Sequence, residues 1–171
     1  IEQKDIIENI RAIQVNITQH LSSDVETQLN DEIDRLLEEL TQHALTQLLQ
    51  YSTRTGDAIL AFGEQFSSRI FAQVLQSVDI PGEYFNVQQV MKTNSLYGKA
   101  VVDLNQLSEQ SRQLLAPKLV NNVIVTQGFI GQDSQGHTTT LGRGGSDYSA
   151  ALLTEALNGN NLSIWTDVVG I

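Results

Sequence analysis

The stretch Thr138–Tyr148, TTTLGRGGSDY, limits what this chain can fold into more than any other. Three threonines predict a short extended segment. Three glycines around one arginine predict a turn whose backbone lies open to close approach. Ser146 and Asp147 are good helix N-caps, and Tyr148 to Leu157 are mostly strong helix formers. The reading is strand, glycine loop, helix start. A helix N-terminus offers unpaired N–H groups and the positive end of the helix dipole. Arg143 adds a forked donor suited to a carboxylate or a phosphate. The same residues also suit a plain strand-to-helix turn with a surface arginine, and short glycine motifs do not separate the two.

The rest of the chain supplies the frame. Ile6, Ile10, Ile13, Ile17 and Leu21 recur at helical spacing, as do Leu29, Ile33, Leu36, Leu37, Leu40 and Leu48. Ser22-Ser23-Asp24 separates the two runs, which predicts an antiparallel helical hairpin. Ser52–Asp57 is expected to be a loop with a cap, followed by a third helix from about Ala58 to Val78. Glu64 sits at the edge of that helix's apolar face, with Gly63, Ser67 and Ser68 keeping its surroundings small. A carboxylate so placed suits either a structural pair or a cation ligand. Ile80–Glu83 reads as a turn, Tyr84–Val87 as a short strand, Val101–Asp103 as a short strand piece and Leu104–Leu119 as a helix. Val123–Thr126, continuous and β-branched, reads as a buried parallel strand. Gln132–Gly136 reads as a hairpin tip, and Leu162–Thr166 as a further buried strand. His20 and His43 are expected to be solvated helix residues, and His137 an exposed loop histidine. Alternating strands and helices after residue 80 imply a parallel sheet covered by helices, with ligands at the carboxyl ends of strands. Gly128, the Arg143 loop and Asp167 all fall there.

Composition removes several classes of function. The chain has 171 residues and 40% hydrophobic content, enough for one globular domain or a large piece of one. It has no cysteine, hence no disulfide and no thiolate metal site. No apolar run is long enough for a transmembrane helix, and no signal-peptide pattern opens the chain. A net charge of −10 argues against nucleic acid and against anionic membranes. An anionic substrate needs a local reversal of that field, which Arg143 or a bound cation can supply.

Three segments then carry a family resemblance: Val125–Gly131 (VTQGFIG), Thr138–Tyr148, and Ile164–Val168 (IWTDV). In this order and spacing they resemble the aspartate kinases of the amino-acid kinase family. The resemblance runs from the N-terminal helices to the last residue and is most specific from Val123 onward. It implies an α/β fold: a three-layer α/β/α sandwich of the amino-acid kinase type, here with an incomplete sheet and a helical N-terminal lobe. Residues 1–171 would be the central part of one kinase catalytic domain, with 1–79 mainly helical and 80–171 the α/β part that bears the motifs. The implied activity is transfer of the ATP γ-phosphoryl group to the β-carboxylate of L-aspartate. The product is 4-phospho-aspartate, the first step towards lysine, threonine and methionine.

The roles implied are specific. Arg143 clamps the substrate α-carboxylate and Glu64, in the family's Gly-Glu pair, takes the α-ammonium. Phe129 and Ser146 line the amino-acid pocket together with Gly144. Gly131 and Gly145 bring backbone N–H groups to the nucleotide phosphates, and Thr166 and Asp167 begin the nucleotide site. Asp147 orients the family's catalytic lysine. Mg2+ is held mainly by ATP phosphate oxygens. A cytoplasmic enzyme and a homo-oligomeric parent are expected, and the central segments lean towards the lysine-sensitive single-function members. The chain departs from the family at both ends. The lysine-phenylalanine-glycine-glycine segment that carries the catalytic lysine is absent, and Lys4, Lys92, Lys99 and Lys118 lie in other contexts. The expectation is therefore an internal fragment, itself inactive, of an active enzyme. Two alternatives stand beside it: a family member acting on a different acid or a nucleotide, and a non-catalytic binding module of the same fold.

Overall fold

Three amphipathic helices open the chain in the computed structural model, which describes residues 2–165. α1 (Glu2–Thr18) and α2 (Ser23–Leu49) form the expected hairpin. Arg11 donates to both carboxylate oxygens of Asp34 at 2.6 and 2.9 Å. Further along α1, the buried Thr18 hydroxyl donates to Asn30 at 2.7 Å, so the pairing order is antiparallel. α3 (Thr53–Ser77) begins five residues before the expected Ala58. The Ser52–Asp57 stretch is thus helix, with Ser52 as an N-cap that makes no side-chain bond. A buried tertiary contact of Asp57, described below, holds this first turn despite Gly56.

α3 divides the molecule between two apolar cores. Phe62, Phe66 and Ile70 of α3 pack with Leu29, Ile33, Leu36 and Leu40 of α2. Ala61, on another face, joins Phe85, Met91, Leu107, Ile130 and Leu152 in the core of the α/β part. β1 (Gly82–Phe85) lies so close on α3 that a Cβ at Gly82 would stand 2.6 Å from the Ala72 carbonyl oxygen. The expected turn at Ile80–Glu83 is correspondingly shorter, since Gly82 and Glu83 are already strand.

β1 pairs in parallel with β2 (Val123–Thr126), in register from Gly82↔Val123 to Phe85↔Thr126. β2 is parallel as expected but only half buried, with Val123 exposed, because β1 is its one partner among the described strands. The expected strand piece around Val102 is a single bridge to Thr93. α4 (Leu104–Gln110) is capped by Asp103, whose carboxylate accepts the amides of Asn105 and Gln106. The expected single helix to Leu119 instead widens into a π turn at Ser111–Leu115 and ends in a 3-10 turn at Lys118–Val120. Pro117 has no N–H to continue an α-helical ladder.

β3 (Ile130–Gln132) and β4 (Thr138–Thr140) form an antiparallel hairpin, as the sequence predicts, with the tip at Asp133–Gly136. α5 (Gly145–Ala156) follows. It packs on β3 and α4, while α3 packs on β1, β2 and β4. The expected strand at Leu162–Thr166 is not formed: residues 161–165 have no regular structure, and Trp165 is 92% exposed. An extended run becomes a strand only where its backbone pairs with a neighbour, and none of the described strands pairs with this one. Thr166 and Asp167 lie outside the described residues. Among the described residues no helix is long and apolar enough to cross a membrane.

Candidate functional site

The strand–loop–helix unit forms where the sequence predicts it, with one shift. Gly144, at φ +73°, is the N-cap of α5, and Ser146 and Asp147 sit inside its first turn. The left-handed backbone at Gly144 is one that glycine adopts without steric cost, so it overrides the better capping chemistry of Ser146 and Asp147. No side chain caps the helix, and the amides of Ser146 and Asp147 have no protein acceptor among the described residues. The result is an open helix N-terminus with Arg143 directly before it. Arg143, Gly144, Ser146 and Asp147 are all exposed, and Arg143 has no carboxylate partner among the described residues. An acid in the first turn, as Asp147 is, suits the helix dipole.

The loop from β2 to β3 forms the wall beside this terminus. Gln127, 2% exposed, accepts the Val87 amide at 2.9 Å and donates to the Tyr84 hydroxyl at 2.8 Å. Phe129 has φ +67°, which is rare for an aromatic residue and costs free energy. Its amide donates to Ser149 Oγ at 2.9 Å, and that buried hydroxyl donates to the Gly145 carbonyl at 2.7 Å. The Phe129 ring edge lies 2.8 Å from where a Cβ on Gly145 would be. Phe129, Gly144, Gly145 and Ser146 are therefore brought together at one loop–helix junction. Ser146 also touches the loop, 3.0 Å from a Cβ built on Gly128. Gly131 is buried deeper in the hairpin, and a Cβ there would meet the Met91 carbonyl oxygen at 2.7 Å. Its small size is required by the protein's own packing.

Glu64 stands midway along α3, between the part of the helix that packs on β4 and the part under β1. It is half buried, and burial raises its pKa above the usual carboxylate value. Among the described residues no side chain pairs with its carboxylate. A carboxylate held partly out of water without a cation can gain by taking one up.

Two buried acids escaped the sequence reading. Asp133, at the hairpin tip, accepts from the Ser95 and Tyr97 hydroxyls at 2.9 Å each and from the amides of Gln135 and His137. Burial pushes its pKa up, but the hydrogen bonds from His137, Ser95, Tyr97 and Gln135 outweigh it and hold the carboxyl well below the usual range. His137 is consequently not a free loop histidine. It is partly buried, with Nδ1 3.5 Å from Asp133 and Nε2 3.3 Å from the Arg54 guanidinium. His43, too, is partly buried, packed against the Phe62 ring. Asp57 is the second buried acid, 3% exposed, and its carboxylate accepts from Gly98 and Thr140. No local signal marked Asp57: Ser52–Asp57 reads as a loop, and the partners that bury it lie far off in sequence. Lys92, with its pKa lowered by burial, donates to the Gln88 carbonyl and the Gln132 side chain, so its ammonium is engaged in structure.

Comparison with known proteins bears on the fold and the family. Residues 8–171 match the model of the amino acid kinase family. The chain is 41% identical over 170 residues to lysine-sensitive aspartokinase 3 of Escherichia coli (strain K12), covering 99% of this chain and 37% of that protein. It is 37% identical over 113 residues to an aspartokinase of Chlamydia trachomatis, covering 66% of this chain and 26% of that one. The crystal structure of E. coli aspartokinase III with aspartate and ADP superposes with a TM-score of 0.94 over 99% of this chain and 38% of that one. An aspartate kinase of Clostridium acetobutylicum, at 19% identity and a TM-score of 0.62, shares the fold. The chain thus spans well under half the length of these relatives, and it belongs to the amino acid kinase family.

Proposed function

We propose that a full-length protein carrying this chain transfers the γ-phosphoryl group of ATP to the β-carboxylate of L-aspartate, and that this chain supplies the amino-acid side of the site. One observation carries the reading. Arg143, without a carboxylate partner among the described residues, stands directly before the open N-terminus of α5, and α3, which bears the equally unpartnered Glu64, is tied through Asp57 to the end of β4 three residues earlier. An α-amino acid presents an ammonium and a carboxylate, and these two side chains carry the charges opposite to them. The solved relative in complex with aspartate and ADP supports the choice of aspartate.

Phosphoryl transfer between oxygens requires positioning and charge neutralisation. In this reading Arg143 holds the α-carboxylate in a two-pronged contact and Glu64 accepts from the α-ammonium. Phe129 and Ser146 wall the pocket, and Gly144 leaves its backbone accessible. The free amides of Ser146 and Asp147 stabilise anionic oxygen at the helix N-terminus. Gly145, with Thr166 and Asp167 further on, belongs to the nucleotide side, as does Gly131 through the hairpin it packs. Asp147 orients a lysine supplied from outside this chain. Among the described residues no cluster of three metal-ligating side chains forms. Magnesium enters as part of the ATP substrate, held mainly by its phosphate oxygens. A cytoplasmic, homo-oligomeric enzyme in which residues 1–171 form the central part of the kinase domain completes the proposal.

The product, an acyl phosphate, is attacked by hydroxylamine to give a hydroxamate. Incubating the full-length protein with ATP, hydroxylamine and a panel of acids tests the reading. L-Aspartate should give hydroxamate and ADP in equal amounts. ADP formation with another acid or with a nucleoside monophosphate, and none with L-aspartate, would replace the substrate assignment.

A further inference from the structure

Asp57 is a buried acid that the proposed chemistry does not use. Its Oδ2 accepts the Thr140 amide at 2.7 Å and the Gly98 amide at 2.9 Å, and its Oδ1 accepts the Thr140 hydroxyl at 3.0 Å. Among the described residues it has no cationic partner. Burying a carboxylate this way is a costly means of holding two elements together, and apolar packing would do so at lower cost. Hydrogen bonds add direction, which apolar contact lacks.

Those directions converge on the site. Thr140 ends β4 and lies three residues before Arg143. Gly98, the second partner, closes on the same loop from outside: its carbonyl oxygen is 3.0 Å from a Cβ built on Gly142. Asp57 itself is in α3, seven residues before Glu64. Seven residues are two turns, so the two carboxylates share a face about 10 Å apart along the axis. One side chain therefore fixes the helix that bears Glu64 to both walls of the loop that bears Arg143.

We propose that Asp57 is a positioning residue for the amino-acid site: it sets the separation between Glu64 and Arg143 and thereby selects a ligand with an ammonium and a carboxylate on one carbon. The inference rests on the proposed amino-acid role of Glu64 and Arg143. The role is geometric. An asparagine at 57 retains it, because its oxygen accepts both amides while its Nδ2 donates to the Thr140 hydroxyl oxygen. An alanine does not.

The test is steady-state kinetics in a full-length enzyme carrying this chain, with aspartate and ATP varied separately. Asp57→Ala should raise the aspartate KM by about tenfold to a hundredfold, the usual effect of misplacing a binding group by an ångström. The ATP KM should stay within about twofold, as expected when binding of the other substrate is untouched. Asp57→Asn should restore most of the loss. Thr140→Val, which removes one of the three bonds, should raise the aspartate KM by a few-fold and leave ATP alone. A folded Asp57→Ala enzyme with an unchanged aspartate KM, an equal rise in both KM values, or an Asp57→Asn enzyme as weak as the alanine variant would each overturn the inference. If Asp57→Ala does not fold, Thr140→Val decides alone: a selective rise supports the inference and no change overturns it. Glu64→Ala and Arg143→Ala run alongside. If both leave the aspartate KM unchanged, the amino-acid reading itself fails and takes this inference with it. If they raise it while the folded Asp57 and Thr140 variants do not, the positioning role alone falls.

Discussion

Individual side chains here differ most in whether their charge is already answered. Asp133 is answered four times over, and its carboxyl is held well below the usual range despite burial. Its contribution to stability is present above the unfolded-state pKa of an aspartate and is lost as pH falls through the lowered folded value. Asp133→Ala leaves the part-buried hydroxyls of Ser95 and Tyr97 and the amides of Gln135 and His137 without this acceptor. It should destabilise the chain by about 2–3 kcal/mol in urea unfolding near neutral pH. An unchanged midpoint would mean that the hairpin tip bears no load. Glu64 is the opposite case, raised by burial with no partner among the described residues. It must be ionised to accept an ammonium. As pH falls, kcat/KM for aspartate should therefore decline at a higher pH than an ordinary glutamate would dictate. Glu64→Gln should be weak throughout and lack that acid limb. An identical limb in the Glu64→Gln enzyme would assign the titration elsewhere.

At the scale of elements, the junction of β4 with α5 is tight for a stated reason. The Gly145 α-carbon faces the Phe129 ring edge, and Phe129 itself is strained at positive φ. Gly145→Ala should push the ring aside and cost about 1–3 kcal/mol, the usual penalty for one excess methyl in a packed place. Thermal unfolding of the chain checks the cost, and an unchanged midpoint would show that the ring yields freely. This junction was legible in the sequence because its determinants are local: extended threonines, glycines, then helix formers. Even there the cap moved from Ser146 and Asp147 to Gly144, where backbone geometry outweighs capping chemistry. The start of α3 was not legible. Gly56 and the threonines around it have weak helix propensity, while the contact that orders them joins Asp57 to Thr140, 83 residues away. The run Leu162–Trp165 has a strand's composition but no strand beside it among the described residues, and composition does not supply one.

The molecule as a whole is two cores joined by α3, which contributes Phe62, Phe66 and Ile70 to one and Ala61 to the other. The helical periodicities marked the helices and the β-branched run at Val123–Thr126 marked a strand, but that α3 serves both cores was not readable from them, whereas the three motifs made the family readable. Which residues the fold draws together was partly readable: Phe129, Gly144, Gly145 and Ser146 meet, whereas the tie from Asp57 required the tertiary structure. The same helix that joins the cores carries Glu64 and is tied through Asp57 to the loop that carries Arg143, and the proposed function depends on those two charges reading one ligand. Kinetics of Glu64→Ala and Arg143→Ala in a full-length enzyme test that dependence most directly. Each variant should lose about 2–3 kcal/mol in kcat/KM for aspartate, the cost of leaving one charge of a bound pair unanswered, with the ATP KM nearly unchanged. Arg143→Lys should recover only part of the loss, since an ammonium cannot make the forked contact. Normal kcat/KM for aspartate in both folded alanine variants, or a loss confined to ATP, would contradict the assignment of this site to the amino acid.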